Sequence, residues 1–335
     1  MSRAIPDPAT DPKCPADTRT AIATEMAALR VALDAQIPPK RDVDRNILIG
    51  TWNIRAFGGL TEHWKSGSKD SPKRNWRGLL AIAEIISRFD IVAVQEIKDD
   101  LKALRTLMKT LGPDWQFLIT DENMGDGGND ERSGFLFDSR RARLSGLAGE
   151  LGVPVDEKYR KGLTDDLSFR QFVRTPYAVS FQTGGETIIL VTAHIIYGDG
   201  PEDRTAELAA LGNWMADWAT RSKRYGHNLM VLGDFNIDRK DDENYQAFTA
   251  GGLTPPDALN DAPRTIFPTT KNKFYDQITW FETGAHRKLN LEFIAAGGFD
   301  FSELLFQAAP KLTKSSMSWR VSDHLPLWAE FRARG

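Results

Sequence analysis

The groups in this chain able to do chemistry stand at the ends of apolar runs. Asn228-Leu229-Met230-Val231-Leu232-Gly233 leads into Asp234, Phe235 and Asn236. Likewise Ile47–Trp52 leads into Asn53, Ile91–Gln95 into Glu96, and Ile188–Ala193 into His194. Asp323 and His324 stand directly before Leu325-Pro326-Leu327-Trp328-Ala329. Short, unbroken apolar runs read as strands buried on both faces. Alternate side chains of an extended chain share a face, so Asp234 and Asn236 point the same way as the strand leaves the core. Taken singly, each ending has a plain structural explanation: an Asp or Asn bonding its own turn, or a histidine satisfied in the core. Their recurrence predicts that rigid strands bring their polar ends to one open edge, where α/β enzymes place their sites.

Glu131, Arg174 and Asp276 join the set, Asp276 from a further strand, Phe274–Trp280. Glu96 and Asp323 offer hard oxygen ligands suited to Mg²⁺ or Mn²⁺, with Asn53 at the neighbouring strand end, and no Cys/His cluster has zinc spacing. Two histidines with carboxylates to spare suggest two His–carboxylate pairs, in which the acid sets the tautomer and raises the imidazole pKa. One imidazole then deprotonates a water while the other protonates a leaving oxygen. The metal, Asn53, Asn236 and Arg174 would stabilise charge on a five-coordinate phosphorus. That inventory suits phosphodiester hydrolysis.

The elements that must position these groups follow in chain order. Residues 1–16 are expected to be a disordered tail, and 17–44 a helical extension with Ile22, Met26, Leu29 and Leu33 on one stripe, stopped by Pro38-Pro39. A single domain is expected over 45–335. After Asn53 come Arg55 and a long polar loop holding Lys65, Lys69, Lys73, Arg74 and Arg77, with Trp64 and Trp76 among them. Basic residues interleaved with aromatics suit a nucleic-acid backbone, so Arg55, Lys65, Lys69, Lys73 and Arg74 are substrate-binding candidates. A solvated loop with Trp76 opening the next helix explains the same pattern. Helices are predicted near 76–88, 101–111 and 203–221. Strands are predicted at 115–120, 134–137 and 177–181, with a hairpin through Gly184-Gly185 to the His194 strand. Residues 150–173 read as a polar connection. The Gly- and Asp-rich stretch 121–130 is a candidate structural Ca²⁺ loop, though without defined ligand spacing.

Composition bounds the rest. The 335 residues are 41% hydrophobic and 27% charged, ordinary for a globular chain able to bury a large core. A net charge of -3 means that attraction to a polyanion must come from local patches and a bound cation. No apolar run approaches membrane-spanning length. The lone Cys14 allows no internal disulfide, and Met1–Pro15 lacks the apolar stretch of a secretory signal, so a cytoplasmic location is expected, or a secreted one if a leader was removed. No protein partner is identifiable.

Asn53-Ile54-Arg55-x-Phe57-Gly58, Gln95-Glu96, Glu131-Arg132-x-x-Phe135-Leu136-Phe137, Arg174-x-Pro176, His194, Gly233-Asp234-Phe235-Asn236, Tyr275-Asp276 and Ser322-Asp323-His324-x-Pro326 occur in one order. In this the chain resembles the endonuclease/exonuclease/phosphatase superfamily from about Ile47 to Phe331, and within it the deoxyribonuclease I branch. The resemblance implies a four-layer α/β/β/α sandwich of two packed mixed sheets. It also implies His194 paired with Glu131, His324 paired with Asp276, and a metal at Glu96 with Asp323 nearby. Arg55 stands where the abasic-site endonuclease branch has an Asp, which argues against that branch. The loop from Gly58 to Asn75 is longer than the family's. The expected function is a metal-dependent endonuclease acting on nucleic acid, DNA first. The alternatives are a phosphodiesterase or phosphatase acting on a phospholipid or inositol phosphate, and a catalytically dead scaffold, since a fold does not fix its substrate.

Overall fold

The computed structural model describes residues 3–124, 127–152, 172–220, 228–269, 273–282, 289–308 and 311–334. Two six-stranded sheets lie face to face. In spatial order the first holds β11 (Leu291–Gly298), β12 (Leu327–Ala333), β1 (Ile47–Phe57), β2 (Ile91–Lys98), β4 (Glu131–Asp138) and β3 (Trp115–Ile119). The second holds β5 (Arg143–Glu150), β6 (Tyr177–Thr183), β7 (Glu186–His194), β8 (Asn228–Ile237), β10 (Phe274–Phe281) and β9 (Leu253–Thr254). The pairs β1–β2 and β7–β8 are parallel and the other pairs are antiparallel, so both sheets are mixed.

Strand periodicity sorts the side chains into layers. Ile47 and Ile49 of β1, Ile91 and Ala93 of β2, Leu190 of β7, Leu232 of β8 and Ile278 of β10 meet between the sheets, with Phe135, Phe137 and Phe181. Their neighbours turn outward. Trp52, Ile54, Val92 and Val94 face a layer made by α1 (Ala16–Gln36), α2 (Trp76–Ile86) and α3 (Lys102–Leu111). Val191, Val231 and Phe235 face α4 (Glu202–Thr220) and α5 (Glu243–Thr249). Helices outside, two sheets inside: this is the four-layer α/β/β/α sandwich. A short α6 (Lys314–Ser318) precedes Asp323. Among the described residues no helix is long and apolar enough to cross a membrane.

Local chemistry explains the elements. The Asn75 side chain caps α2 by accepting from the Gly78 amide at 3.1 Å. Gly78 has no substitute there, because a Cβ would sit 2.5 Å from the Arg320 carbonyl. Gly233 does not end its strand as a turn would. β8 continues to Ile237, and the glycine is required because a Cβ would lie 2.1 Å from the Ala193 oxygen on β7, at a φ of 143°.

The N-terminus departs from expectation. Residues 3–15 are placed rather than loose: the Ile5 amide donates to Thr110 Oγ1, Asp11 accepts from the Trp64 indole at 2.7 Å, and Cys14 is buried. The helix itself begins at Ala16 and buries the expected stripe of Ile22, Met26, Leu29 and Leu33. A buried ion pair, Glu25 with Arg77 at 2.6 Å, fixes it to α2. Three strands had no counterpart in the sequence reading, β5, β9 and β11. All lie at sheet edges; β5 is mostly exposed, β11 mostly half-buried and β9 two residues long, so none shows the apolar periodicity that marks a strand. The connection expected over 150–173 falls almost wholly outside the described residues.

Candidate active site

The site begins where the inter-sheet core stops. Continuing the parity of the core residues along each strand gives Asn53 on β1, Glu131 on β4, His194 on β7, Asp234 and Asn236 on β8, and Asp276 on β10. The face that is apolar in the middle of the sandwich thus becomes polar at one edge. Register then sets neighbours: Asp234 lies opposite both His194 and Asp276. Asp323 and His324 arrive on the turn before β12, held by bridging of Thr265 to His324 and by the Trp52 indole donating to the His324 carbonyl at 2.9 Å. Glu96, Asn236 and Ala56 adopt positive φ, so the strand ends depart from regular pleating where their polar groups are needed.

Two His–carboxylate pairs face each other across Asp234. His324 Nδ1 lies 2.8 Å from Asp276 Oδ2, and His194 Nδ1 lies 3.1 Å from Glu131 Oε2. The two Nε2 atoms converge on one oxygen, Asp234 Oδ2, at 3.6 Å from His194 and 3.7 Å from His324. Those distances exceed a hydrogen bond, so each Nε2 is free to address a substrate oxygen or water between them. Asp234 Oδ2 accepts from Asn53 Nδ2 at 2.9 Å, and Asp234 Oδ1 from the Asn236 amide at 3.0 Å. Asn236 Nδ2 donates to the Ile195 carbonyl, which fixes which way the amide points.

Charge is concentrated here. Burial would lower the His324 imidazole, but the Asp276 and Asp234 carboxylates outweigh it and hold it well above the ordinary histidine value. Burial raises the Asp276 carboxyl to about 6, with Asp234 adding to the rise and His324 opposing it. Burial also opposes ionisation of Glu131, yet contact with His194 and the charges of Arg174 and Lys98 bring it down to about 2. Arg174 Nε lies 3.0 Å from the same Oε2 that meets His194, and Lys98 Nζ lies 3.0 Å from Oε1. Both contacts are close, but neither His194 Nδ1 nor Arg174 Nε makes a well-directed hydrogen bond to Oε2.

The residues fit a divalent cation. Asn53 Oδ1 and Asp323 Oδ1 are buried oxygens without a hydrogen-bond partner, and Glu96 lines the cleft with one oxygen, Oε2, on the Ala56 amide at 2.8 Å. These are the hard oxygens that Mg²⁺ or Mn²⁺ selects. Asp234, Asp276 and His324 also bring ligand atoms within 4.8 Å of one another. Glu96, Asp323 and Asn53 offer a second set, made of oxygens alone. Among the described residues of the 121–130 loop no ligand cluster forms, so the expected Ca²⁺ site finds no support. Its Asn123 and Asn129 instead bond the Glu131 carbonyl and carboxylate, and so brace Glu131.

The cleft, about 440 Å³, is lined by Glu96, Glu131, Arg174, His194, Asp234, Asn236, Asp323 and His324, and also by Tyr197, Phe267, Lys273 and Tyr275. The basic loop does not reach it. Lys65 pairs with Asp17 of α1 at 2.8 Å, Lys69 is exposed, and the Lys73 ammonium is enclosed by the Gly67, Ser68 and Asp70 carbonyls. Trp64 and Trp76 meet edge to face, so the loop is a strap tying the N-terminal helix to the domain. Arg55 is not a free cation either: it stacks on Trp319 at 3.7 Å, donates to Ser318 and meets Asp323 at 3.3 Å.

Arg74, expected to bind substrate, is 1% exposed and donates to three backbone carbonyls, those of Ala56, Arg55 and Val321. It clamps the end of β1 to the turn carrying Asp323. Burial pulls its guanidinium down to about 10, against the pull of Glu96 and Asp323. Arg74→Met would strand those carbonyls and is expected to cost on the order of 3 kcal/mol. Urea unfolding would measure it, and an unchanged midpoint would show that the clamp carries no stability.

Lys98, Asn129 and Arg204 escaped the sequence reading. Lys98 had a signal, since it follows Glu96 by two residues at the same strand end. Arg204 had none: it reaches from α4 to the Asn236 carbonyl at 2.6 Å and the Tyr197 carbonyl at 2.7 Å, contacts made only by folding.

Residues 50–290 match the sequence model of the Endonuclease/Exonuclease/phosphatase family. A deoxyribonuclease of Thioalkalivibrio sp. (strain K90mix) is 30% identical over 198 residues, 57% of this chain and 46% of that protein, so the chain matches about half its length. Deoxyribonuclease-1 of Bos taurus is 26% identical over 294 residues, covering 84% of this chain and 91% of that protein. Among solved structures, the Bacteroides thetaiotaomicron mannosyl-6-phosphatase Bt3783 has a TM-score of 0.55 at 16% identity, covering 85% of this chain and 99% of that one. The human Nocturnin catalytic domain has a TM-score of 0.54 at 16% identity, covering 87% and 96%. At such identities the structures speak to the fold alone.

Proposed function

The chain belongs to the endonuclease/exonuclease/phosphatase family, and from that premise we propose that it is a divalent-cation-dependent nuclease hydrolysing phosphodiester bonds, with DNA as the first substrate to test. The observation that carries this reading is the pair of imidazoles, each held by its own carboxylate, whose Nε2 atoms meet at Asp234 Oδ2. Similarity to deoxyribonucleases along most of the chain supports it.

The chemistry balances within this set. A water oxygen forms a bond to phosphorus as the opposite P–O ester bond breaks. One imidazole takes the proton that the water loses, and the other gives a proton to the departing oxygen. Glu131 and Asp276 hold the rings by Nδ1, so that Nε2 is the atom facing the reaction. Asn236 and Arg174 line the cleft as donors for charge on the phosphoryl oxygens. A cation at Glu96, Asp323 and Asn53 would supply Lewis-acid stabilisation of that charge when bound.

Charge in the cleft favours a diester over a phosphomonoester. Its arginine and its lysine each already pair with a carboxylate, Arg174 with Glu131 and Lys273 with Asp238 at 2.7 Å. A diester carries one negative charge where a monoester carries about two near neutrality, so it makes the smaller demand on a cleft rich in carboxylates. The single cysteine leaves the fold independent of an oxidising compartment and supports a cytoplasmic location.

The test is a substrate panel with Mg²⁺: a DNA oligonucleotide, the matching RNA, a phosphoinositide, an inositol phosphate and a sugar phosphate. Nucleic acid is expected to have the highest kcat/KM. Preference for any of the other three phosphates would replace this reading with the alternative.

A further inference from the structure

Among the described residues, the large aromatic side chains left markedly exposed are Tyr197 at 56%, Trp319 at 46% and Phe267 at 37%. All three stand at the catalytic edge. Tyr197 and Phe267 line the cleft itself. Trp319 stacks on Arg55, which contacts Asp323. The described residues expose these three around the phosphate-handling groups, where scattered surface aromatics would not be expected to gather.

Two of the rings are fixed in advance. The Arg204 guanidinium lies 4.4 Å from the Tyr197 ring centre and bonds the Tyr197 and Asn236 carbonyls and the Asp238 carboxylate. Arg55 lies 3.7 Å over the Trp319 ring and is held by Ser318 and Asp323. Each ring therefore has one face against a positioned cation and is held at a set place relative to the catalytic groups. A ligand that stacks on the other face meets a surface whose ordering cost has already been met in folding.

Resting on the nuclease reading above, we infer that these rings are stacking platforms for nucleobases flanking the scissile phosphate, and that the preferred substrate is single-stranded or locally unpaired nucleic acid. Every base has a π-face, and stacking on aromatic rings is how proteins hold single strands without reading sequence. In an intact duplex those faces are covered by neighbouring base pairs, and uncovering them requires unstacking. The basic loop does not offset this by tracking phosphates, since Lys65 pairs with α1, Lys73 is held by the loop's own carbonyls, Arg74 clamps β1 to the turn carrying Asp323, and Lys69 faces solvent away from the cleft lining.

The experiment compares kcat/KM on a single-stranded oligonucleotide, the same sequence as a duplex, and a single strand with abasic sites flanking the cleaved phosphates. Wild type is expected to cleave the single strand roughly ten-fold better than either of the others. Tyr197→Ala or Trp319→Ala should lower the single-strand to duplex ratio about ten-fold, and Tyr197→Phe should restore it. On the abasic strand the alanine variants should show no further loss, because the base they would have stacked is already gone. Binding of a labelled single strand in EDTA, followed by fluorescence anisotropy, should weaken in parallel. An equal fall on single strand and duplex, or undiminished cleavage of the abasic strand by wild type, would overturn the platforms while leaving the nuclease reading standing. Failure of wild type to cleave any of the three would overturn both.

Discussion

His324→Ala and His194→Ala are each expected to lower turnover of a phosphodiester by roughly a hundred- to ten-thousand-fold, the range for loss of a positioned proton-transfer group. Substrate affinity should change far less, because each ring offers the substrate one atom, Nε2, while Nδ1 is turned to its carboxylate. If both act in one transition state, the double variant should lose less than the product of the two singles. Asp276→Asn and Glu131→Gln should reproduce their partners' defects more weakly, since the imidazole stays while its orientation and charge change. Glu131→Gln carries the broader effect of the two, because Arg174 and Lys98 meet the same carboxylate. Single-turnover rates on a labelled oligonucleotide would measure all of this. A near wild-type rate in His194→Ala would return that residue to a structural role in the core.

Glu96→Gln is expected to weaken divalent-cation binding by about a hundred-fold or more, given that even partners one shell removed from a metal cost ten- to a hundred-fold. The substitution is close to isosteric, and the amide oxygen can still accept from the Ala56 N–H that holds Glu96 Oε2. Fold should therefore survive while a charged hard ligand is lost. Calorimetric titration with Mn²⁺ reads the loss without relying on turnover, and thermal unfolding checks the fold. Mn²⁺ affinity equal to wild type would move the metal away from Glu96, with Asp234, Asp276 and His324 then the next place to look.

The parts of this site that could be read from sequence share a physical cause. Asn53, His194 and Asp234 each follow an apolar run within a strand, and period-two alternation carries them onto the same face as the core residues before them. Asp276 could be found for the same reason at the start of β10. That alternation also yields the two-sheet core, because Ile47, Leu190 and Leu232 alternate with residues facing the helices. The basic loop misled because charge and aromatic spacing say nothing about where a loop folds. Lys65 and Trp64 found their partners on the N-terminal segment, and Arg74 found backbone carbonyls. The same contacts explain why residues 3–15 are ordered despite a composition rich in Pro and Asp. Arg204 and Asn129 act through tertiary contacts, which no local pattern announces.

Conversion of supercoiled plasmid to nicked and linear forms, with Mg²⁺ and then with excess EDTA, tests the central claim most directly. Nicking in Mg²⁺ that stops on chelation, resumes when Mg²⁺ is restored, and is lost in His324→Ala is the expected result. Even with its preference for unpaired strands, the enzyme would find melted stretches in a supercoiled circle. Undiminished nicking in EDTA, or an intact plasmid in Mg²⁺ and Mn²⁺ alike, would contradict a metal-dependent nuclease.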